Sequence, residues 1–222
     1  MRKGDFIITY KSIEFWPLDP REEEVNIFDI AHALSLLCRF NGHVRNFYSV
    51  CDHSIRVSYL VPPELALAGL IHDATEAYLS DIPSPTKIDL PIYKMWEKTL
   101  QETIYRRFGL PIEEPPEVKL ADRILLVSEM RDLLPSGLMP NWEISNKGYV
   151  PLRKRIGRTM SPRKAERLFL NRFYELTGEK LGFWAGIENK LMRRRLSETK
   201  EELAERKAEF DRLADKETQW IY

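Results

Sequence analysis

Between its prolines, the chain repeats apolar residues at the three-to-four-residue spacing of amphipathic helices. The pattern predicts helices over about Val25–Cys38, Ser49–Leu60, Pro63–Leu79, Pro91–Phe108, Glu117–Leu134 and Ser161–Leu176. Pro63 stands at a helix start, and Pro83, Pro111 and Pro135 mark stops, the positions where a residue without an N–H is tolerated. Near the N-terminus, FIITY and IEFW are separated by Lys11-Ser12 and suit two short strands. The expected fold is all-α, a helical bundle with a possible short N-terminal β-hairpin. From about Glu179 the pattern changes to dense mixed charge, with Leu196, Leu203 and Phe210 seven residues apart. That spacing predicts a long charged C-terminal helix with a thin apolar seam, suited to packing on its own domain or to oligomerisation. The expected division is a domain over 1–178 and a helical extension over 179–222.

Composition narrows the class. Of 222 residues, 43% are hydrophobic and 31% charged, the profile of a globular protein with one well-filled core. The formal net charge is zero, so nothing global favours nucleic acid or a membrane surface as a partner. No apolar run has the length of a membrane span, and MRKGDFIITY lacks a secretory signal. Two cysteines, Cys38 and Cys51, are too few for a disulfide scaffold or a zinc ribbon. The expected compartment is the cytoplasm, that of the host if the protein is phage-encoded.

Chemistry concentrates in a few places. The run Leu65–Ile71 is apolar and ends in His72-Asp73, followed by Glu76 and Asp81. On an ideal helix, at roughly 100° per residue, Glu76 falls about 40° from His72, between His72 and Asp73. One narrow face thus carries an imidazole and two carboxylates at the end of a buried stretch. His53 lies in the first turns of the preceding helix, which the short Val61-Pro62-Pro63 turn would set alongside. Asp122 interrupts Val118, Leu120, Ala121, Ile124, Leu125 and Val127. An unpaired buried charge neutralises or finds a partner, which raises the question of what partner waits here.

His53, His72-Asp73 and Asp122 match the H…HD…D pattern of the HD-domain metal-dependent phosphohydrolases. DIAHALSLLCRFNGH, YSVCDHS, LIHDATEAYLSDIPSPTK and LADRILLVSEMRDLL look like the subfamily of bacterial 5′-deoxynucleotidases and phage dATP triphosphohydrolases. SPRKAERLFLNRFYEL resembles the segment that closes that domain, so the resemblance covers roughly residues 4–178. It implies that His53, His72, Asp73 and Asp122 bind one divalent metal per subunit. Two imidazoles and two carboxylates suit Co²⁺, Mn²⁺, Zn²⁺ or Fe²⁺, with Mg²⁺ less favoured. Glu76 matches the residue that positions and deprotonates water, and Asp81 a second catalytic carboxylate; Asp81 also suits a plain turn before Ile82-Pro83. Arg39 matches a phosphate-contacting arginine, and Lys87 and Lys119 match lysines that hold a triphosphate, although both would also suit a solvated surface. Phe40 and Gly42 are candidates for base or sugar contact, with Phe40 equally suited to the core.

The implied activity is release of deoxynucleoside and tripolyphosphate from a deoxynucleotide such as dATP, with 5′-dephosphorylation of dNMPs as the alternative. Related enzymes form dimers or hexamers, which implies a homo-oligomer. Readings of another class are a nucleic-acid adaptor using the basic strip PLRKRIGRTMSPRK and an assembly protein with a vestigial HD domain. The strip is short and lacks interleaved aromatics, which weighs against nucleic acid. His32 suits a supporting role, and Glu129 with Arg131 suits an ion pair.

Overall fold

A computed structural model describes residues 2–136 and 148–178, together with Ala208. The fold is all-α with one antiparallel two-stranded hairpin, β1 (Ile7–Ile8) and β2 (Glu14–Phe15), in which Ile7 pairs with Phe15 and Ile8 with Glu14. The helices are α1 (Ile27–Leu36), α2 (Val50–Leu60), α3 (Ala66–Ile71), α4 (Glu76–Leu79), α5 (Ser84–Lys87), α6 (Pro91–Arg107), α7 (Pro116–Leu133) and α8 (Pro162–Thr177). The charged C-terminal helix and the extension over 179–222 lie outside the described residues. Among the described residues no helix is long and apolar enough to cross a membrane.

Local chemistry sets most boundaries. Asn26 caps α1 by accepting from the Phe28 N–H, and Ser49 caps α2 by accepting from that of Asp52. Pro91, Pro116 and Pro162 occupy first helical turns, where the missing N–H has no partner to lose. Gly178 ends α8 at φ 76°, the left-handed conformation that favours glycine.

Helix α2 is the centre of the molecule. Every residue in it except Tyr59 is buried. Ile55 packs with Ile30, Leu34, Leu70 and Phe169 in one apolar cluster, while Val57 packs with Tyr48, Val118, Ala121 and Leu125 in the other. Full burial forces the polar residues of α2 to find partners. Asp52 accepts from Arg56 Nε at 2.7 Å and from the Met160 N–H at 2.7 Å. Arg56 also donates to the Ile156 carbonyl at 2.9 Å, and Arg172 of α8 reaches the Ser58 carbonyl at 3.0 Å. These bonds fasten the chain around the segment that carries His53.

The expected continuous helix over Pro63–Leu79 does not form. A single 3₁₀ turn at Pro63–Leu65 leads into α3, and α3 and α4 are separated by tighter winding. The Ala74 N–H bonds Ile71 O at 2.9 Å, Glu76 N–H bonds Asp73 O at 3.1 Å and Tyr78 N–H bonds Thr75 O at 3.0 Å, all three residues back. Asp73 and Thr75 are poor helix-interior residues because their side chains compete for backbone groups. The 100°-per-residue projection for His72, Asp73 and Glu76 therefore fails locally, since a 3₁₀ turn winds faster.

Candidate metal centre

His53 sits one turn into α2 and is fully buried. Its ring is held at both ends by carboxylates from α7. Nδ1 lies 2.6 Å from Glu129 Oε1, and Nε2 lies 3.2 Å from Asp122 Oδ1. Asp122 and Glu129 are seven residues apart, about two helical turns, so α7 presents both from one face. Burial opposes ionisation of Glu129, but the charges of Arg39 and His53, with hydrogen bonds from His53 and Tyr48, hold its carboxyl below the usual range. An ionised carboxylate only accepts, so His53 Nδ1 is the donor.

His72 arrives from α3, whose approach to α2 is permitted by Gly69. A Cβ on Gly69 would sit 3.1 Å from Val61 Cγ2 and 3.3 Å from Ser58 Cα. The Gly69 carbonyl accepts from His72 Nδ1 at 3.0 Å. Both imidazoles therefore have Nδ1 occupied and turn Nε2 toward the same space, with ring centroids 5.3 Å apart.

Neither Nε2 has a hydrogen-bond partner, although both are buried. Asp73 Oδ2 lies 3.2 Å from His72 Nε2 and 3.6 Å from His53 Nε2, close enough for charge attraction. One ligand atom from each of His53, His72 and Asp122 falls within 4.8 Å of the others. Orphaned nitrogens facing carboxylates are the donor set of a metal site, and this cluster can hold a metal ion. Burial disfavours protonation of His72, yet Asp73 and Asp122 outweigh it and push its pKa up to about 10. His53 is also raised, with burial and Arg39 opposed by Glu129 and Asp122.

The other expected residues gather unevenly. Glu76 is buried with Oε2 unpaired, and burial, reinforced by Asp73 and Asp81, pushes its carboxyl well above the ordinary range. Asp81 follows Ser80, which has φ 72°, and burial raises its carboxyl too, with the charges of Arg39 and Lys87 opposing. Arg39 Nε lies 3.2 Å from Glu129 Oε2, and its Nη1 lies 3.4 Å from Asp73 Oδ2. The Arg39 N–H bonds Tyr48 O at 2.9 Å and so fixes that arginine against the start of α2. After it the backbone turns left-handed at Phe40, Asn41 and Gly42, with φ of 55°, 49° and 80°. Phe40 is half-buried with its ring centroid 5.7 Å from Arg39 Cζ, and Gly42 is exposed with open space where a Cβ would point.

Lys87 is committed to Glu97 at 2.6 Å. Lys119 is exposed and makes no ion pair among the described residues. The expected Glu129–Arg131 pair does not form. Arg131 bonds Asp132 at 2.7 Å, and Glu129 turns inward because its face of α7 is the buried one. Glu129 and Tyr48, whose hydroxyl donates to Glu129 Oε1 at 2.7 Å, are site residues that sequence reasoning missed. The signal for Glu129 was the seven-residue spacing of two acids on α7; Tyr48 left none. His32 stands apart from the cluster, stacked on Tyr10 at 3.8 Å and 3.3 Å from Glu166 Oε1.

No protein-family model matches the chain. Over 114 residues it is 35% identical to "Uncharacterized protein RCAP_rcc00048" of Rhodobacter capsulatus, a match covering 47% of this chain and 58% of that protein. Over 128 residues it is 45% identical to "Uncharacterized protein YfdR" of Escherichia coli K12, covering 58% of this chain and 72% of the relative. With that identity across most of the relative's length, the chain belongs to the YfdR family.

Proposed function

We propose that the chain is an HD-type metal-dependent phosphohydrolase of deoxynucleotides, releasing deoxynucleoside and tripolyphosphate from a dNTP such as dATP. The observation that carries this reading is the pair of unbonded, buried Nε2 atoms of His53 and His72 facing Asp73 and Asp122. Two nitrogens and two carboxylates suit one divalent ion per subunit, Co²⁺, Mn²⁺, Zn²⁺ or Fe²⁺ before Mg²⁺. Such an ion, when bound, supplies Lewis acidity to a phosphoryl group and acidifies a water.

The chain's own groups do the rest. Glu76, with a raised proton affinity, accepts the proton of the attacking water. The water oxygen bonds to phosphorus, the bond from phosphorus to the 5′-oxygen breaks, and that oxygen takes up a proton as the deoxynucleoside leaves. Asp81, whose carboxyl burial raises above its usual range and whose charge bears on Glu76, would guide that oxygen. Arg39 offers its planar fork to phosphate oxygens beside Asp73. Lys119, exposed one turn before Asp122, would meet distal phosphates, and Phe40 and Gly42 would border the base or sugar.

A second reading, 5′-dephosphorylation of dNMPs, is favoured by the Lys87–Glu97 ion pair, which leaves fewer uncommitted cations for a long phosphate chain. A panel of dNTPs and dNMPs with Co²⁺, Mn²⁺, Zn²⁺ or Mg²⁺ tests both. Tripolyphosphate release supports the first and orthophosphate from dNMPs the second. No hydrolysis by metal-loaded protein would overturn both and leave an adaptor or assembly role, whereas hydrolysis unchanged in Glu76→Ala would remove Glu76 as the base.

A further inference from the structure

Glu129 is fully buried and touches three side chains from separate stretches of the chain. Its Oε1 accepts from His53 Nδ1 at 2.6 Å and from the Tyr48 hydroxyl at 2.7 Å. Its Oε2 lies 3.2 Å from Arg39 Nε, paired by charge without hydrogen-bond geometry. One oxygen therefore addresses the metal-facing imidazole and the other the arginine assigned to phosphate. The main-chain bond from Arg39 N–H to Tyr48 O closes the same circuit through the backbone.

We propose that Glu129 is a positioning residue that sets the cation-binding and anion-binding halves of the site together, through His53 on one oxygen and Arg39 on the other. This inference rests on the metal-dependent hydrolase reading. Accepting from Nδ1 fixes the tautomer of His53 and leaves Nε2 aimed at the metal position. Holding Arg39 at Nε divides its guanidinium between Glu129 and Asp73, which accepts from Nη1 at 3.4 Å and which the metal also needs. Loss of the carboxylate therefore weakens both functions at once. Asp122 shares α7 with Glu129 but Arg39 does not, so a defect confined to that helix would reach the metal half without the anion half.

The test is a titration of the full chain with Co²⁺ alone, followed by visible absorption, and then with inorganic tripolyphosphate. Glu129→Gln is expected to weaken Co²⁺ binding by about 10- to 100-fold, to alter the Co²⁺ spectrum and to weaken tripolyphosphate binding. Glu129→Asp, which keeps the charge at shorter reach, is expected to lose less. A folded variant with wild-type Co²⁺ affinity and spectrum overturns the inference while leaving the metal site intact. A wild-type chain that binds no Co²⁺ overturns the reading beneath it as well. A measurement independent of folding in the variants is the ¹⁵N-coupled proton spectrum of Zn²⁺-loaded wild type. His53 Nδ1 is expected to carry a downfield proton, and an unprotonated Nδ1 overturns the inference.

Discussion

The Gly69 carbonyl and the His72 imidazole are joined by a 3.0 Å hydrogen bond across three residues of α3. The same glycine lets α3 close on α2, because its missing Cβ leaves room for Val61 and Ser58. A single position thus sets both the distance between the two helices and the direction of the histidine that leaves them. The backbone of Ser58 cannot yield as a flexible side chain would.

Gly69→Ala follows from this contact. The added methyl would lie 3.3 Å from Ser58 Cα and 3.1 Å from Val61 Cγ2. Overpacking of this kind costs about 1–3 kcal/mol. The expected result is a lower melting temperature, by roughly 2–4 °C per kcal/mol for a chain of this size, together with weaker metal binding. A thermal melt and a Co²⁺ titration check it, and unchanged values for both would contradict the packing account.

Asp122→Ala removes the α7 carboxylate that lies 3.2 Å from His53 Nε2. The expected outcome is protein without stoichiometric metal and without hydrolysis, read by elemental analysis and phosphate release on the same sample. Full activity in such protein would refute the site.

Metal binding should depend steeply on pH. In the metal-free chain His72 holds its proton up to about 10, and His53 is raised too. A metal must displace those protons, so its apparent affinity should rise with pH by about tenfold per unit for each proton released. Calorimetry in buffers of different ionisation enthalpy counts the protons, and pH-independent binding would contradict the geometry. Stability of the metal-free protein runs the other way. A raised histidine pKa contributes stability fully below the unfolded value of about 6.5, and that contribution fades as pH climbs toward about 10.

The two lysines should separate. Lys87 is held by Glu97 at 2.6 Å, whereas Lys119 is exposed beside the Asp122 helix face. Lys119→Ala is expected to raise the KM for dATP more than Lys87→Ala does, and the double variant to weaken dATP far more than dAMP. Equal losses for both nucleotides would remove the triphosphate assignment.

Much of the frame was legible from spacing and punctuation. α2, α6, α7 and α8 lie within a residue or so of the predicted helices, and Ser49, Pro91, Pro116 and Pro162 explain where they start. The hairpin emerged from FIITY and IEFW because β-branched and aromatic residues suit a pleated ribbon. The break between Ile71 and Glu76 was not legible. Helical periodicity records which side is apolar, and it continues through a 3₁₀ turn that only the hydrogen bonds distinguish.

What the amino-acid order determined by itself was the helical class, most boundaries and the presence of His53, His72, Asp73 and Asp122 within or at the end of helical apolar stretches. Those follow from local propensity and burial, which act over a turn or two of chain. What only the tertiary structure decided was partnership. Glu129 faces His53 rather than Arg131, Lys87 faces Glu97, and the two Nε2 atoms converge from different helices. Such pairings depend on the angle and depth at which helices pack, and here a glycine in α3 and the buried face of α7 set them.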